Sequence, residues 1–504
     1  MAPRPATTSD FSGPVETDKK PINLLRGWPA PSLLPAAQLR EAANQVLADP
    51  EVAVPMLQYA IDPGFQPLRD ELARWLGEVY PSYPKDGQKG DSGQVKGGLF
   101  TADEIAITGG ASQGLACLLQ SFTDPTYTRA VWMAAPCYFM ASGIFEDAGF
   151  RGRLRAVPED EGGICVGELE RRLREEGRRE ETPPLKHPYP DRKLYRHVIY
   201  LVATSANPSG KTLSLPRREA LVRLAREYDA LIISDDVYDF LQWPVTPHSH
   251  SHSSSSLPPL SEFKPLPLLT QIDASLPPSP HNPPGKNFGH AVSNASFSKL
   301  VGPGTRTGWI HATPDFAWGF SQTGSNRSGG AASQFAAAVI WRVLKDGLVA
   351  EHVEKVVRPA LRRRHAVMLQ VVREVLGPLG VGVWNGNGRG GCGEIGGDGK
   401  GEVYGGYFVW LTLPGGVDAS AAAERARREE ALVVAPGRLF EVAGDEERAR
   451  FPRNVRLSFS WVDEEDIVEG VRRFGAVIKK MLEEGGKAGM EVGKGMEASV
   501  AEFK

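Results

Sequence analysis

From residue 104 onward, apolar runs too short for helices alternate with stretches whose apolar positions recur every three or four residues. Ile105, Ala106 and Ile107 make a short strand, and Leu115, Leu118, Leu119 and Phe122 mark one face of a following helix. Residues 130–135 and 198–204 read as continuous apolar strands. Leu221, Leu224, Ala225 and Tyr228 line one side of a helix that starts near Ser214 and Pro216, and residues 230–234 form the next strand. Such alternation predicts an α/β fold, with a large domain built on a mostly parallel sheet covered by helices on both faces. Upstream, an extended arm at 22–29 precedes a helix over 36–47. Leu68, Leu72, Trp75, Leu76 and Val79 predict a second helix from Pro67. Downstream come a short strand at 308–311 and helices to about 375. Strands at 407–411, 432–434 and 455–459, set between charged helices, then predict a smaller α+β C-terminal domain.

The periodicity lapses in several places. Residues 1–20 read as a disordered lead-in, 85–98 as a surface loop, 244–290 as a His/Ser/Pro-rich insertion that buries no core, 385–401 as a Gly-rich insertion, and 485–504 as a loose tail. The expected organisation is an arm and helix at 21–50 that join the small domain, a large domain at 51–345, and a small domain at 346–484. In 504 residues, 55 Gly and 40 Pro fit a globular body carrying polar insertions. With 58 Lys and Arg against 61 Asp and Glu, the chain offers no field for nucleic acid or an anionic membrane. Residues 1–50 hold no helix-turn-helix and no basic cluster. No apolar run is long enough to span a bilayer, and residues 1–20 lack an apolar signal core, so a cytoplasmic protein is expected. Cys117, Cys137, Cys165 and Cys392 are scattered, and read as reduced thiols rather than a zinc site. His248, His250 and His252 alternate within the 244–290 insertion; a surface loop, not a metal site, is the reading taken. The charge run from Arg171 to Glu176 reads as a solvated helix face.

Chemistry gathers where strands end. Gly109-Gly110-Ala111-Ser112-Gln113-Gly114 turns a strand into a helix, which can seat an anion on free N–H groups or can be a bare tight connection. Tyr138, Asn207 and Asp235 follow three other strands. Asn294-Ala295-Ser296-Phe297-Ser298-Lys299 runs into a Gly/Pro turn and then Arg306. In parallel α/β sheets, ligands bind at the carboxyl ends of strands. A lysine amine can attack an aldehyde, and two serines with an arginine can hold a phosphate dianion. Together they suggest a lysine bonded to a phosphorylated aldehyde, pyridoxal 5'-phosphate.

These motifs, in this order, resemble fold-type I pyridoxal-phosphate enzymes of the class I/II aminotransferase family. The resemblance runs from about residue 22 to 475. Tyr59-Ala60-Ile61-Asp62-Pro63-Gly64 with Leu68-Arg69 is similar to the family's Tyr…Gly…Leu-Arg segment, and Thr108–Leu115 to its phosphate-binding turn. Asn207-Pro208-Ser209-Gly210, Asp235-x-x-Tyr238, Ser296-x-Ser298-Lys299 with Arg306, and Asn454-Val455-Arg456 match its remaining motifs.

The resemblance implies that Lys299 holds the cofactor as an aldimine and shuttles a proton. It implies that Asp235 pairs with the pyridine nitrogen, Asn207 and Tyr238 bond the phenolic oxygen, and Tyr138 stacks on the ring. The phosphate falls to Gly110, Ala111, Ser112, Ser296, Ser298 and Arg306, and to Tyr59 from the other subunit of a homodimer. Arg456, with Gly27 and Asn207, falls to the substrate carboxylate. Many relatives carry Ser or Thr where this chain has Ala111, so a hydroxyl contact would move to Ser112. The implied reaction is ping-pong exchange of an amino group between an amino acid and a 2-oxo acid, in amino acid biosynthesis. The alternative is a lyase or synthase on the same scaffold, such as a C–S lyase or an aminocyclopropane carboxylate synthase-like enzyme. A non-catalytic pyridoxal-phosphate-binding regulator ranks below both. Trp28, Trp309 and Phe139 near the motifs point to a bulky apolar or aromatic substrate.

Overall fold

Eight strands form one sheet in the order Ile105–Thr108, Gly308–His311, Ala291–Ser296, Ala230–Asp235, His197–Leu201, Ala130–Ala135, Leu154–Asp160 and Gly163–Ile164. This is a computed structural model, and it describes residues 18–84, 99–177, 182–187, 189–245, 257, 265–330, 332–384 and 402–484. The five central strands, from Ala291–Ser296 to Leu154–Asp160, are mutually parallel. Gly308–His311 runs antiparallel to both its neighbours, and Gly163–Ile164 to Leu154–Asp160. The sheet is therefore mostly parallel.

Alternate residues of these strands enter opposite layers, as a two-residue period requires. Val131, Met133, Val198, Tyr200, Leu231 and Ile233 pack with Leu115, Leu118 and Phe122 of the helix Ala111–Phe122. Trp132, Ala134, Ile199, Leu201 and Ile232 pack on the other face with Leu221, Val222 and Ala225 of the helix Leu215–Glu227. Both faces being buried explains why these strands read as unbroken apolar runs.

A second, four-stranded antiparallel sheet joins Gly382–Trp384, Phe408–Thr412, Asn454–Ser458 and Ala435–Pro436. The arm strand Ile22–Asn23 pairs in parallel with Leu432–Val433. Gln242–Val245 pairs with Glu402–Gly405, tying the two halves of the chain together.

Three expectations need correction. Residues 265–290, read as part of a coreless insertion, include the helix Leu269–Ser275, with Leu269, Ile272 and Phe288 buried. The neighbouring prolines and serines had diluted a short apolar cluster. The charged helix, Val166–Glu176, is not wholly solvated: Arg172 is buried and lies 4.9 Å over the Trp132 ring. The Trp309 ring packs against Phe297 and Trp75, so it belongs to the core and not to a pocket. Residues 1–17, 85–98, 385–401 and 485–504, the alternating histidines and Cys392 lie outside the described residues.

Candidate active site

Lys299 ends a short 3-10 turn, Phe297–Lys299, that follows the strand Ala291–Ser296. The Ser296 side chain caps that turn by accepting from the Ser298 N–H at 3.1 Å, and its hydroxyl donates to Ser298 Oγ at 2.8 Å. Lys299 Nζ donates to the Gly27 carbonyl at 2.9 Å and lies 5.2 Å from the Tyr407 ring. Burial pulls its amine down to about 8, against the opposing pull of the Asp235 carboxylate. At pH 7 roughly a tenth of such an amine is neutral, against about one part in three thousand for an ordinary lysine.

Asp235 ends the neighbouring strand and is 8% exposed. The Tyr200 hydroxyl donates to its Oδ2 at 2.8 Å. Its Oδ1 is buried and has no hydrogen-bond partner among the described residues. Burial raises the carboxyl to about 6, opposed by the Tyr200 bond and by Lys299. Buried polar atoms normally find partners, so Oδ1 marks a place for a donor that the described residues do not supply. Tyr138 stands close enough for the Asp235 charge to help burial push its phenol up to about 12. The Tyr238 ring meets Tyr407 edge-on at 5.5 Å, and burial raises its phenol well above the usual range.

On the strand Asn454–Ser458, Arg456 is 3% exposed. It donates to Asn207 Oδ1 at 2.8 Å and to the Leu25 carbonyl, and it lies 4.0 Å over the Phe408 ring. Its Nε has no partner among the described residues. Burial lowers the guanidinium to about 10, so it stays charged at neutral pH. The arm thus brings backbone carbonyls to both key cations, Leu25 to Arg456 and Gly27 to Lys299. Gly27 is required there, because a Cβ would sit 2.6 Å from the Phe408 ring.

The turn expected to take the phosphate leads into the helix Ala111–Phe122. Gly110 precedes it with φ +101°, and a Cβ there would run into the Arg306 guanidinium. Arg306 donates to the Gly109 carbonyl at 2.7 Å and to Pro303 at 2.8 Å. Ser112 lies exposed in the first helical turn. Asn294 donates to the Ala111 carbonyl at 2.9 Å and pins the helix start to the lysine strand. Tyr59, by contrast, is 86% exposed, near Gly329.

The structure sets Lys299 near Asp235, joins Arg456 to Asn207, and seats Arg306 on the Gly109 carbonyl. No motif signalled Tyr200, Tyr407, the Leu25 carbonyl, the bond from Asn294 to Ala111, or the contact of the Gly27 carbonyl with Lys299. The family of class I and II aminotransferases matches residues 63–474. The chain belongs to that family. An uncharacterized protein of Saccharomyces cerevisiae is 32% identical, over 91% of this chain and 97% of its own length. An aromatic-amino-acid aminotransferase of Thermococcus litoralis is 27% identical, over 92% and 88%. Among solved structures, a multiple substrate aminotransferase from Thermococcus profundus superposes with a TM-score of 0.67, at 27% identity and covering 93% of this chain and 94% of that one. The aminotransferase takes pyridoxal phosphate, and its residues fit that group. A buried carboxylate oxygen without a partner among the described residues suits a protonated ring nitrogen, a largely desolvated amine suits an aldehyde, and a glycine cradle beside an arginine suits a phosphate.

Proposed function

We propose that this aminotransferase moves the α-amino group of an aromatic amino acid to a 2-oxo acid in two half-reactions. When bound, pyridoxal phosphate supplies an aldehyde that takes up the amino group and a ring that withdraws electrons from the substrate Cα. Lys299 Nζ would hold the aldehyde until the donor amine displaces it, then take the proton from the donor's Cα and deliver it to the former aldehyde carbon, and would carry it the opposite way in the second half-reaction. Asp235 Oδ1 would keep the ring nitrogen protonated. Asn207 and Tyr238 would bond the phenolic oxygen, and Tyr138 would cover the ring. N–H groups at Ala111 and Ser112, the Ser296 and Ser298 hydroxyls and Arg306 would hold the phosphate.

Arg456 would turn its fork from the Leu25 carbonyl to the substrate carboxylate, with Asn207 and Gly27 beside it. The aromatic wall carries the substrate reading. Phe408 and Phe440 lie 4.0 and 4.9 Å from the Arg456 guanidinium, and Phe139 packs on Phe440 at 5.5 Å. The named Thermococcus litoralis relative agrees with that reading.

A second reading, a donor with a side-chain carboxylate, is favoured by Arg26. This guanidinium lies between Trp28 and Trp461, at 4.9 and 5.6 Å, with a buried Nε lacking a partner among the described residues. A 2-aminoadipate transaminase of Thermus thermophilus is 28% identical.

The division at about residue 345, a homodimer in which Tyr59 reaches the other subunit's phosphate, and a cytoplasmic biosynthetic role belong to the same proposal. Among the described residues no helix is long and apolar enough to cross a membrane. Incubation with single amino donors and 2-oxoglutarate, with the product amino acid quantified, tests the proposal. Aromatic donors should exceed aspartate and 2-aminoadipate at least tenfold in kcat/KM. The opposite order would sink the aromatic reading.

A further inference from the structure

Tyr200 lies on the strand beside Asp235, opposite Ile233, so its hydroxyl can reach the strand end two residues on. The ring is 2% exposed and packs edge-on against Phe145 at 5.5 Å. A phenol has a single hydrogen to give, and here it goes to Asp235 Oδ2 at 2.8 Å. One carboxylate oxygen is thereby committed, while Oδ1 stays buried and without a partner among the described residues. Asp236 and Asp239 likewise leave one buried oxygen without a partner among the described residues, but of the three carboxylates Asp235 is the one that the Lys299 charge reaches.

We infer that Tyr200 is a positioning residue, whose hydroxyl fixes the Asp235 carboxylate so that Oδ1 alone meets the cofactor's ring nitrogen. This rests on the reading of Asp235 given above. Two further observations agree with it. The Tyr200 bond lowers the Asp235 carboxyl against burial. The phenol itself is raised well above its ordinary range, chiefly by burial and then by Asp235, so it remains a donor at every working pH.

The variant is Tyr200→Phe, which keeps the ring and its packing on Phe145. Cofactor-free wild type and variant are titrated from pH 6 to 8 with pyridoxal phosphate and with its 1-deaza analogue, which has carbon in place of the ring nitrogen. Binding is followed by tryptophan fluorescence. The variant should bind pyridoxal phosphate at least about tenfold more weakly, the loss of one hydrogen bond to a charged group. That loss should grow towards pH 6, because the carboxylate takes up its proton sooner. The deaza analogue should bind both proteins alike. Added to Asp235→Asn, Tyr200→Phe should change pyridoxal phosphate affinity less than twofold. Equal weakening of both ligands, unchanged pyridoxal phosphate binding, or a further tenfold loss in the Asp235→Asn background overturns the inference. A wild type that does not prefer pyridoxal phosphate over the deaza analogue overturns the reading of Asp235 itself, which is a separate result.

Discussion

Replacing Asp235 by asparagine should stabilise the cofactor-free enzyme while weakening its hold on the cofactor. The side chain keeps its shape and an acceptor for the Tyr200 hydroxyl, but loses its charge. In the folded chain the carboxyl titrates near 6 instead of 3.8, chiefly because burial penalises the ion. A displacement of about two units, at about 1.4 kcal/mol per unit, puts the cost of the buried anion at roughly 3 kcal/mol at neutral pH. The sign follows from proton binding. Between about pH 4 and 6 the folded carboxyl holds more proton than the unfolded one, so stability falls as pH rises through that window and stays lower above it. Urea unfolding of the cofactor-free proteins, followed by tryptophan fluorescence, should therefore show Asp235→Asn more stable by about 2–3 kcal/mol at pH 7.5. The gap should shrink to about half at pH 5 and close near pH 4. Pyridoxal phosphate should then stabilise wild type far more than the variant, because it supplies the missing cation. A variant no more stable than wild type at pH 7.5, or a gap independent of pH, would refute the reasoning.

Other changes test the remaining parts of the site. Arg456→Lys loses the fork that meets Asn207 and Leu25, and kcat/KM for the amino donor should drop about 10²- to 10³-fold, mostly through KM; an unchanged KM would remove Arg456 from the substrate carboxylate. Gly110→Ala forces a side chain onto a residue at φ +101° and into the Arg306 guanidinium. It should raise the cofactor Kd about tenfold while sparing kcat at saturating cofactor, as measured by cofactor titration. Tyr59→Phe should speed cofactor release about tenfold and leave the sedimentation of the protein unchanged, since the proposal gives that hydroxyl to the phosphate of a second subunit.

The candidate chemistry was legible in the sequence because it rests on side chains in short motifs at strand ends. Lys299, Asp235, Asn207 and Arg306 announce themselves through neighbours only a few residues away. Three of the five parallel strands, Ala130–Ala135, His197–Leu201 and Ala230–Asp235, were legible for a similar reason, since burial on both faces writes an unbroken apolar run; Leu154–Asp160 and Ala291–Ser296 carry polar residues that break it. What stayed hidden depends on register or on backbone atoms. Tyr200 sits in an apolar strand and reads as core until the pairing with Ile233 carries its hydroxyl to the carboxylate. The Gly27 and Leu25 carbonyls meet Lys299 and Arg456 across separations of 272 and 431 residues, and a carbonyl leaves no trace in residue identity. Trp309 sits close to Lys299 in sequence, yet its strand buries it against Phe297. The antiparallel insertion of Gly308–His311 between Ile105–Thr108 and Ala291–Ser296 is likewise a matter of pairing, not of local pattern.

That Lys299 carries the proton as well as the cofactor is tested most directly by one comparison. Wild type and Lys299→Ala are loaded with pyridoxal phosphate and mixed with a single aromatic amino donor, and the loss of the cofactor's visible absorbance is timed. Wild type should complete the half-reaction, and the alanine variant should bind the cofactor yet react at least about a thousandfold more slowly. A variant within tenfold of wild type would contradict the assignment.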